Sequence, residues 1–307
     1  MTGEITLLVP PTAQRGRGAH AARPAASAFR AAGLSVTTVT GTDPADTLRR
    51  ARAAVAAGTR ALIAVGGDGT VSLALQAVAG TATPLGVVAV GTGNDFARTL
   101  GLPVRDPAAA GRLAADAFAR DGGSPVDLGR AGGTWFGTVL ATGFDSRVNE
   151  RGNRMRWPRG RARYDLAMLA ELAAFRPVPY RLTLDDGAER EIEATLVAVG
   201  NGSSYGGGMR VCAGARTDDG LLDVTVVGRC SRTTLLTVFP RVYRGTHLGH
   251  PAVTVHRAAR VTLAAPGLTG WADGERLGPL PLTAVCVPGA VRVLGARSTR
   301  EAHSKDG

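Results

Sequence analysis

The sequence predicts two halves of different architecture: an α/β half with a parallel, three-layer sheet over residues 1–125, and a β-rich, sandwich-like half over 126–297. Three observations predict this. Apolar runs at 5–9, 61–66 and 84–90 are continuous rather than alternating, the pattern of strands buried on both faces. Helical periodicity follows them, so strand and helix alternate, as in a parallel sheet covered on both sides. From Val126 onward the texture changes to short alternating segments between turn residues, which is antiparallel. A chain of 307 residues with 44% hydrophobic content can build cores for both halves.

In chain order, the strand at 5–9 leads into a Pro-, Arg- and Gly-rich segment at 10–18. A helix over 19–32, a strand over 35–39 closed by Thr40, and a helix over 44–57 follow. The strand at 61–66 runs into Gly66-Gly67-Asp68-Gly69-Thr70, and Val71, Ala74, Leu75 and Val78 then recur at helical spacing. The strand at 84–90 runs into Gly91-Thr92-Gly93-Asn94-Asp95 and another helix. A last helix over 107–120 ends at Asp121-Gly122-Gly123-Ser124-Pro125, a linker signal. In the second half, strands are expected at 134–141, 180–184, 195–199, 222–227, 260–263 and 284–287. One helix, over 161–175, interrupts them. The polar tail, 298–307, is expected to be disordered.

The two glycine turns carry the chemistry. Glycine lets backbone N–H groups approach a ligand closely, and a helix N-terminus adds partial positive charge, so each turn favours phosphate. An aspartate there would repel bare phosphate but suits a magnesium–nucleotide complex. Asp68 is therefore read on the metal side of a nucleotide-phosphate site. The alternative is a tight turn in which Asp68 bonds its own backbone. A second strand–glycine–helix unit, with its own Asp95, favours the nucleotide reading, because both turns lie at the carboxyl edge of a parallel sheet.

Gly66-Gly67-Asp68-Gly69-Thr70 together with Gly91-Thr92-Gly93-Asn94-Asp95-Phe96-Ala97-Arg98 resembles the catalytic domain of the diacylglycerol kinase family, which includes the soluble bacterial lipid kinases and sphingosine kinases. The match continues through Gly143-Phe144-Asp145, Asn201-Gly202 with Gly206-Gly207-Gly208-Met209, Asp219-Gly220-Leu221, and Asp273-Gly274-Glu275. It spans roughly residues 60 to 293. The first motif alone is shared with NAD kinases, and the pair is far more specific. The resemblance implies an NAD-kinase-like first domain and an enzyme that uses ATP and Mg²⁺ to phosphorylate the hydroxyl of diacylglycerol or a related lipid alcohol. An NAD-kinase-like phosphotransferase and a non-catalytic lipid- or nucleotide-binding regulator are the alternatives.

The resemblance also assigns roles. Glu275 is implied as general base for the lipid hydroxyl, with Asp68 and Asp95 as the catalytic carboxylates that organise magnesium directly or through water. Thr40, Gly66, Gly67, Asp68, Gly69, Thr70, Val71, Ser72, Gly91, Thr92, Gly93 and Asn94 are implied nucleotide contacts. Asp219 is implied in a structural magnesium site with the carbonyls of Arg216 and Leu221. Read without the family, Glu275 is a hairpin residue, Asp219 a β-turn residue, Thr40 a turn threonine and Asp223 a strand-edge residue. The chain departs from the family's pattern at 10–18, where its usual asparagine is missing, and at Leu73, where a glutamate is common.

A net charge of +11 and a pI near 10.9 point to anionic partners. Lys305 is the only lysine, which excludes a GxxxxGK loop and a Schiff base in the folded part. The three cysteines lack CxxC spacing and read as core residues of a reducing compartment. No run approaches the ~20 apolar residues that span a bilayer, and Met1-Thr2-Gly3-Glu4 has no basic export signal. The expectation is a soluble cytoplasmic enzyme, peripheral at the inner face of the membrane. Seven arginines between 147 and 163, with Trp157 among them, suit contact with an anionic membrane surface. Nucleic-acid binding and a solvated loop are the other readings of that stretch. The reading as a whole expects no nucleic-acid partner and is compatible with a homodimer.

Overall fold

A computed structural model describes residues 4–10, 17–120, 122–143, 151, 155 and 177–297. The segment 11–16, nearly all of the arginine-rich stretch, Phe144-Asp145, the helix expected over 161–175 and the tail lie outside them.

The first half follows the predicted alternation: β1 (Glu4–Leu8), α1 (Arg17–Ala31), β2 (Ser35–Val39), α2 (Pro44–Ala56), β3 (Ala61–Gly66), α3 (Asp68–Val78), β4 (Leu85–Ala89), α4 (Asp95–Thr99) and α5 (Pro107–Arg120). The strands are parallel in the order β2-β1-β3-β4. Every residue of β3 and β4 is buried, which explains their unbroken apolar runs. Strand side chains alternate between two cores. Leu8, Leu62, Ala64, Leu85 and Val87 face Ala51 of α2 and Ala74 and Leu75 of α3. Ile5, Leu7, Ile63, Val65 and Val88 face Ala25 and Phe29 of α1 and Ala114 of α5. Three layers result. The chain passes from β1 outward to β2 and then crosses to β3, so the strand order reverses between β1 and β3. Crevices at such reversals, outside the carboxyl ends of the strands, bind ligands.

The second half comprises β5 (Ser124–Ala131), β6 (Thr134–Phe136), β7 (Val139–Gly143), β8 (Val178–Leu184), β9 (Arg190–Gly200), β10 (Leu222–Gly228), α6 (Arg232–Val242), β11 (Val253–Ala258), β12 (Arg260–Ala264), β13 (Thr269–Ala272), β14 (Glu275–Pro279) and β15 (Leu282–Val293). Its strands pair antiparallel around a core that includes Phe136, Tyr180, Val199, Val224 and Leu263. The expected strand 134–141 is in fact two strands, because the N–H groups of Gly137 and Thr138 bond the carboxylate of Asp273 instead of a neighbouring strand. Helix α6 was not expected; its Thr-rich, β-branched sequence with Pro240 lacks helical texture. It begins at Ser231, whose hydroxyl accepts the N–H of Thr234.

The halves share one sheet. β5 starts at Ser124, two residues before the expected start of the second half, and pairs along β15. The end of β15 then runs beside β4, with Val293 opposite Leu85 and the Leu294 N–H bonded to the Leu85 carbonyl. Val291 and Val293 fill one core of the first half and Leu294 the other.

Candidate active site

The site is built from the two glycine turns. A Cβ on Gly91 would lie 2.5 Å from the Gly67 Cα, so the turns after β3 and β4 touch backbone to backbone. Only glycine permits that approach. The N–H groups of Thr70 and Val71 return to the Gly67 carbonyl at 2.9 and 3.1 Å. The donors at the start of α3 without an intrahelical acceptor are therefore those of Asp68 and Gly69. Thr70, Val71 and Ser72 are buried, and Val71 packs into the core.

Asp68 joins the turns. One of its carboxylate oxygens accepts the Asn94 N–H and the other the Asp95 N–H, each at 2.7 Å. The Asp68 side chain thus caps the first turn of α4, a helix belonging to the neighbouring strand. Asn94 sits in the left-handed region (φ 60°), and its amide both donates to the Gly91 carbonyl and accepts the Gly91 N–H at 2.9 Å. Arg98 Nε holds the Gly93 carbonyl at 3.0 Å. A Cβ on Gly93 would meet Asp68 Oδ2 at 2.5 Å, so side chains are excluded there too.

Asp95 is 5% exposed. Burial pushes its carboxyl up to about 6, the backbone N–H groups of Gly207 and Gly208 hold it down, and the charge on Asp68 raises it further. Its Oδ2 accepts the Gly207 N–H at 2.7 Å, whereas Oδ1 is buried with no hydrogen-bond partner among the described residues. An orphaned carboxylate oxygen beside a second carboxylate suits a cation, which would relieve both the burial and the repulsion.

The second half closes on this pair. Gly206, Gly207 and Gly208 all have positive φ, a backbone path that brings Gly207 to Asp95. On the opposite side, β13 and β14 form a hairpin whose loop, Asp273-Gly274, has φ of 50° and 86°, as a type I′ turn requires. The Asp273 carboxylate accepts the N–H groups of Gly137 at 2.7 Å and Thr138 at 3.0 Å, and the Thr138 hydroxyl. Burial raises its carboxyl, the hydrogen bonds from Thr138 and Gly137 oppose that shift, and the charge of Asp68 adds a smaller rise. Gly137 lies against the ring of Phe96, the residue after Asp95. Asn201 Nδ2 bonds the Asp127 and Gly137 carbonyls and fixes the same strand break. Glu275 stands exposed at the first residue of β14, opposite Ala272.

The remaining expected residues fall elsewhere. Thr40 follows β2, the edge strand two places from β3. Asp219 Oδ1 accepts the Leu221 N–H at 3.1 Å, and its Oδ2 meets the guanidinium of Arg257 and, at 3.7 Å, that of Arg216. Two cations already compensate this carboxylate, so the residues as placed do not fit a metal ion there. Among the described residues no group of three or more His, Cys, Asp or Glu side chains could hold one. Asp223 is the second residue of β10, which is paired on both sides rather than a sheet edge. It is 4% exposed and bonded to Arg257 Nε at 3.1 Å. Burial raises its carboxyl, with Arg257 opposing the shift. Sequence reading passed over Asp273 and Gly207 as individual site residues, although both stand inside motifs it quoted.

Two glycine turns of a parallel α/β half, met by a hairpin and a glycine loop from a β-sandwich half, define a two-domain kinase fold of the NAD-kinase type. A solved NAD kinase from Archaeoglobus fulgidus in complex with ATP shares this fold at a TM-score of 0.55 and 10% identity, over 98% of this chain and 96% of that one. The family model described as the diacylglycerol kinase catalytic domain matches residues 4–131, and that described as the YegS C-terminal NAD kinase beta sandwich-like domain matches 138–295. The chain belongs to the diacylglycerol kinase family of lipid kinases. It is 45% identical over 300 residues to a diacylglycerol kinase of Mycobacterium tuberculosis, covering 96% of each chain. It is 34% identical to a probable lipid kinase YegS-like of Pseudomonas aeruginosa, covering 90% of each. A diacylglycerol kinase structure from Bacillus anthracis superposes with a TM-score of 0.69 at 22% identity, over 95% and 96% of the two chains.

Proposed function

We propose that this lipid kinase transfers the γ-phosphoryl group of ATP to the free hydroxyl of diacylglycerol, in the cleft between its halves. The observation that carries the reading is the Asp68 carboxylate, which binds the second glycine turn at two points and so fixes both turns as one phosphate-facing surface. Phosphoryl transfer asks mainly for positioning and charge neutralisation, with one group to take the alcohol proton. The N–H groups of Asp68 and Gly69, at the start of α3, face the phosphates with the helix dipole behind them. Glu275, two residues beyond the anchored Asp273, accepts the lipid hydroxyl proton as that oxygen bonds to the γ-phosphorus and the bond to the β-phosphate oxygen breaks. Asp95 Oδ1 and Asp68 would hold Mg²⁺, which supplies charge neutralisation on the phosphates. No transmembrane helix is needed for a substrate reached from the membrane surface, and no helix among the described residues is long and apolar enough to cross a bilayer. The reading therefore includes ATP and a lipid alcohol as partners, with peripheral contact at an anionic membrane face.

The test is single-turnover transfer from labelled ATP into a mixed lipid extract, with NAD offered in parallel. Label in phosphatidic acid supports the reading. Label in NADP, or in a different lipid, overturns the acceptor. With Asp68→Ala and Glu275→Gln, transfer should fall about a hundredfold or more in each. Wild-type turnover in either variant removes its role.

A further inference from the structure

A groove flanked by two arginines lies across β12, β15 and β5 of the second half, lined by none of the residues of the two glycine turns or the β13–β14 hairpin. The register places Arg260 on β12 opposite Val285 on β15, and Val285 opposite Arg130 on β5. Side chains directly opposite one another share a face, so two arginines flank one valine in a row across three strands. Two inter-strand steps separate their backbones by about 10 Å, within reach of two guanidiniums meeting over one phosphate. Along β15 the buried Ala284 and Cys286 point into the core, while Thr283, Val285 and Val287 lie half-buried on the other face. These three, with the arginines and Gly132-Gly133, line a groove of about 430 Å³. The glycines close the β5–β6 hairpin at φ of 55° and 83° and leave that end without side chains.

Both cations are available. Arg130 is exposed and is steadied by the Trp135 ring, its guanidinium carbon 5.0 Å from the centroid. Arg260 is exposed as well. The nearby Asp185 carboxylate takes the backbone N–H groups of Ala259 and Arg260, each at 2.9 Å, rather than the guanidinium. Neither arginine makes an ion pair among the described residues. Some exposed arginines of this half are paired, Arg181 with Glu189, Arg229 with Glu193 and Arg257 with Asp219; what sets Arg130 and Arg260 apart is that the strand register brings these two cations to one groove.

We propose that this groove binds the headgroup of an anionic phospholipid, with its phosphate between Arg130 and Arg260 and its apolar stem on Val285 and Val287. Paired guanidiniums match phosphate by charge and fork geometry, and the valine floor matches a lipid rather than a free ion. The proposal stands whether or not diacylglycerol is the acceptor in the cleft.

The experiment is equilibrium titration of the full-length protein with water-soluble dihexanoyl phosphatidic acid. Dihexanoyl phosphatidylcholine and inorganic phosphate serve as comparison ligands. Vesicles of four parts phosphatidylcholine to one part phosphatidic acid are pelleted in parallel. The Arg130→Gln/Arg260→Gln double variant should lose affinity for the short-chain phosphatidic acid about tenfold or more. Its vesicle pelleting should fall too, with the ATP dissociation constant unchanged. Because both residues are exposed, the variant keeps the wild-type melting temperature. The Arg→Lys pair, retaining charge without the fork, should fall between the two. Equal binding by wild type and the Gln variant overturns the site. Binding of inorganic phosphate as tightly as the lipid overturns the lipid assignment. A change in ATP affinity would show that the arginines act through the cleft, and overturns the site's independence.

Discussion

Two of the pairs of neighbouring aspartates among the described residues, Asp68 with Asp95 and Asp219 with Asp223, are compensated in opposite ways. Asp68 and Asp95 are held by backbone N–H groups from the turns and the glycine loop, and one Asp95 oxygen is buried with no hydrogen-bond partner among the described residues. Asp219 and Asp223 are bridged by Arg257, with Arg216 beside them. In the first pair the donors to the carboxylates are neutral backbone N–H groups. In the second the negative charge is neutralised within the protein. Proximity of carboxylates does not by itself mark a functional site; what distinguishes the two is the charge of the donors.

The largest expected difference is in turnover. Asp68→Ala should lower single-turnover transfer by about two orders of magnitude, whereas Asp219→Asn should leave it within a few-fold. Equal losses in both would dissolve the contrast. Gly93→Ala should also lower transfer strongly, because its Cβ would sit 2.5 Å from Asp68 Oδ2. Gly214→Ala, whose Cβ would lie 3.3 Å from Asp223 Oδ2, is the matched control and should be mild.

Stability should respond the other way round. The Asp95 carboxyl is raised from 3.8 to about 6, so the folded protein binds a proton that the unfolded chain has already released. Its contribution is fully present below pH 4 and is lost as pH rises through 6. Asp95→Asn should therefore stabilise the metal-free protein at pH 7, by up to about 3 kcal/mol, while abolishing transfer. Denaturant melts of both proteins at pH 4 and pH 7 measure this, and a gain that does not grow with pH contradicts it. In contrast, Arg257→Gln leaves Asp223 buried without a cation and should cost about 2 kcal/mol. The smallest effect is on metal response. Mg²⁺ at millimolar levels should raise the wild-type melting temperature by a few degrees, not raise that of Asp95→Asn, and raise that of Asp219→Asn as in wild type.

The same contrast shows what a sequence can disclose. The parallel half was legible because strands buried on both faces are written as unbroken apolar runs, and each glycine turn adjoins the strand it serves. The chain written as Asp68 and Asp95 already implied one site. The break at Gly137-Thr138 was not legible, since Asp273, which causes it, is 135 residues away from Thr138. Arg257 lies 38 residues from Asp219, so nothing local warned that the carboxylate was compensated. The row Arg260–Val285–Arg130 exists only through strand register, and register between distant strands has no signature in composition or spacing. Helix α6 was missed because Thr233, Thr234, Thr237 and Val238 favour strand texture, and packing overrode that preference.

The return of β15 to the edge of β4 has a consequence for how the protein comes into being. During synthesis the parallel half emerges before the β-rich half, yet two of its cores wait for Val291, Val293 and Leu294 to complete them. A ribosome that stops before these residues releases a parallel sheet with a bare flank, a surface prone to clumping. Residues 291–294 thus act as a clasp: the packing of the first half is completed by a strand drawn from the second.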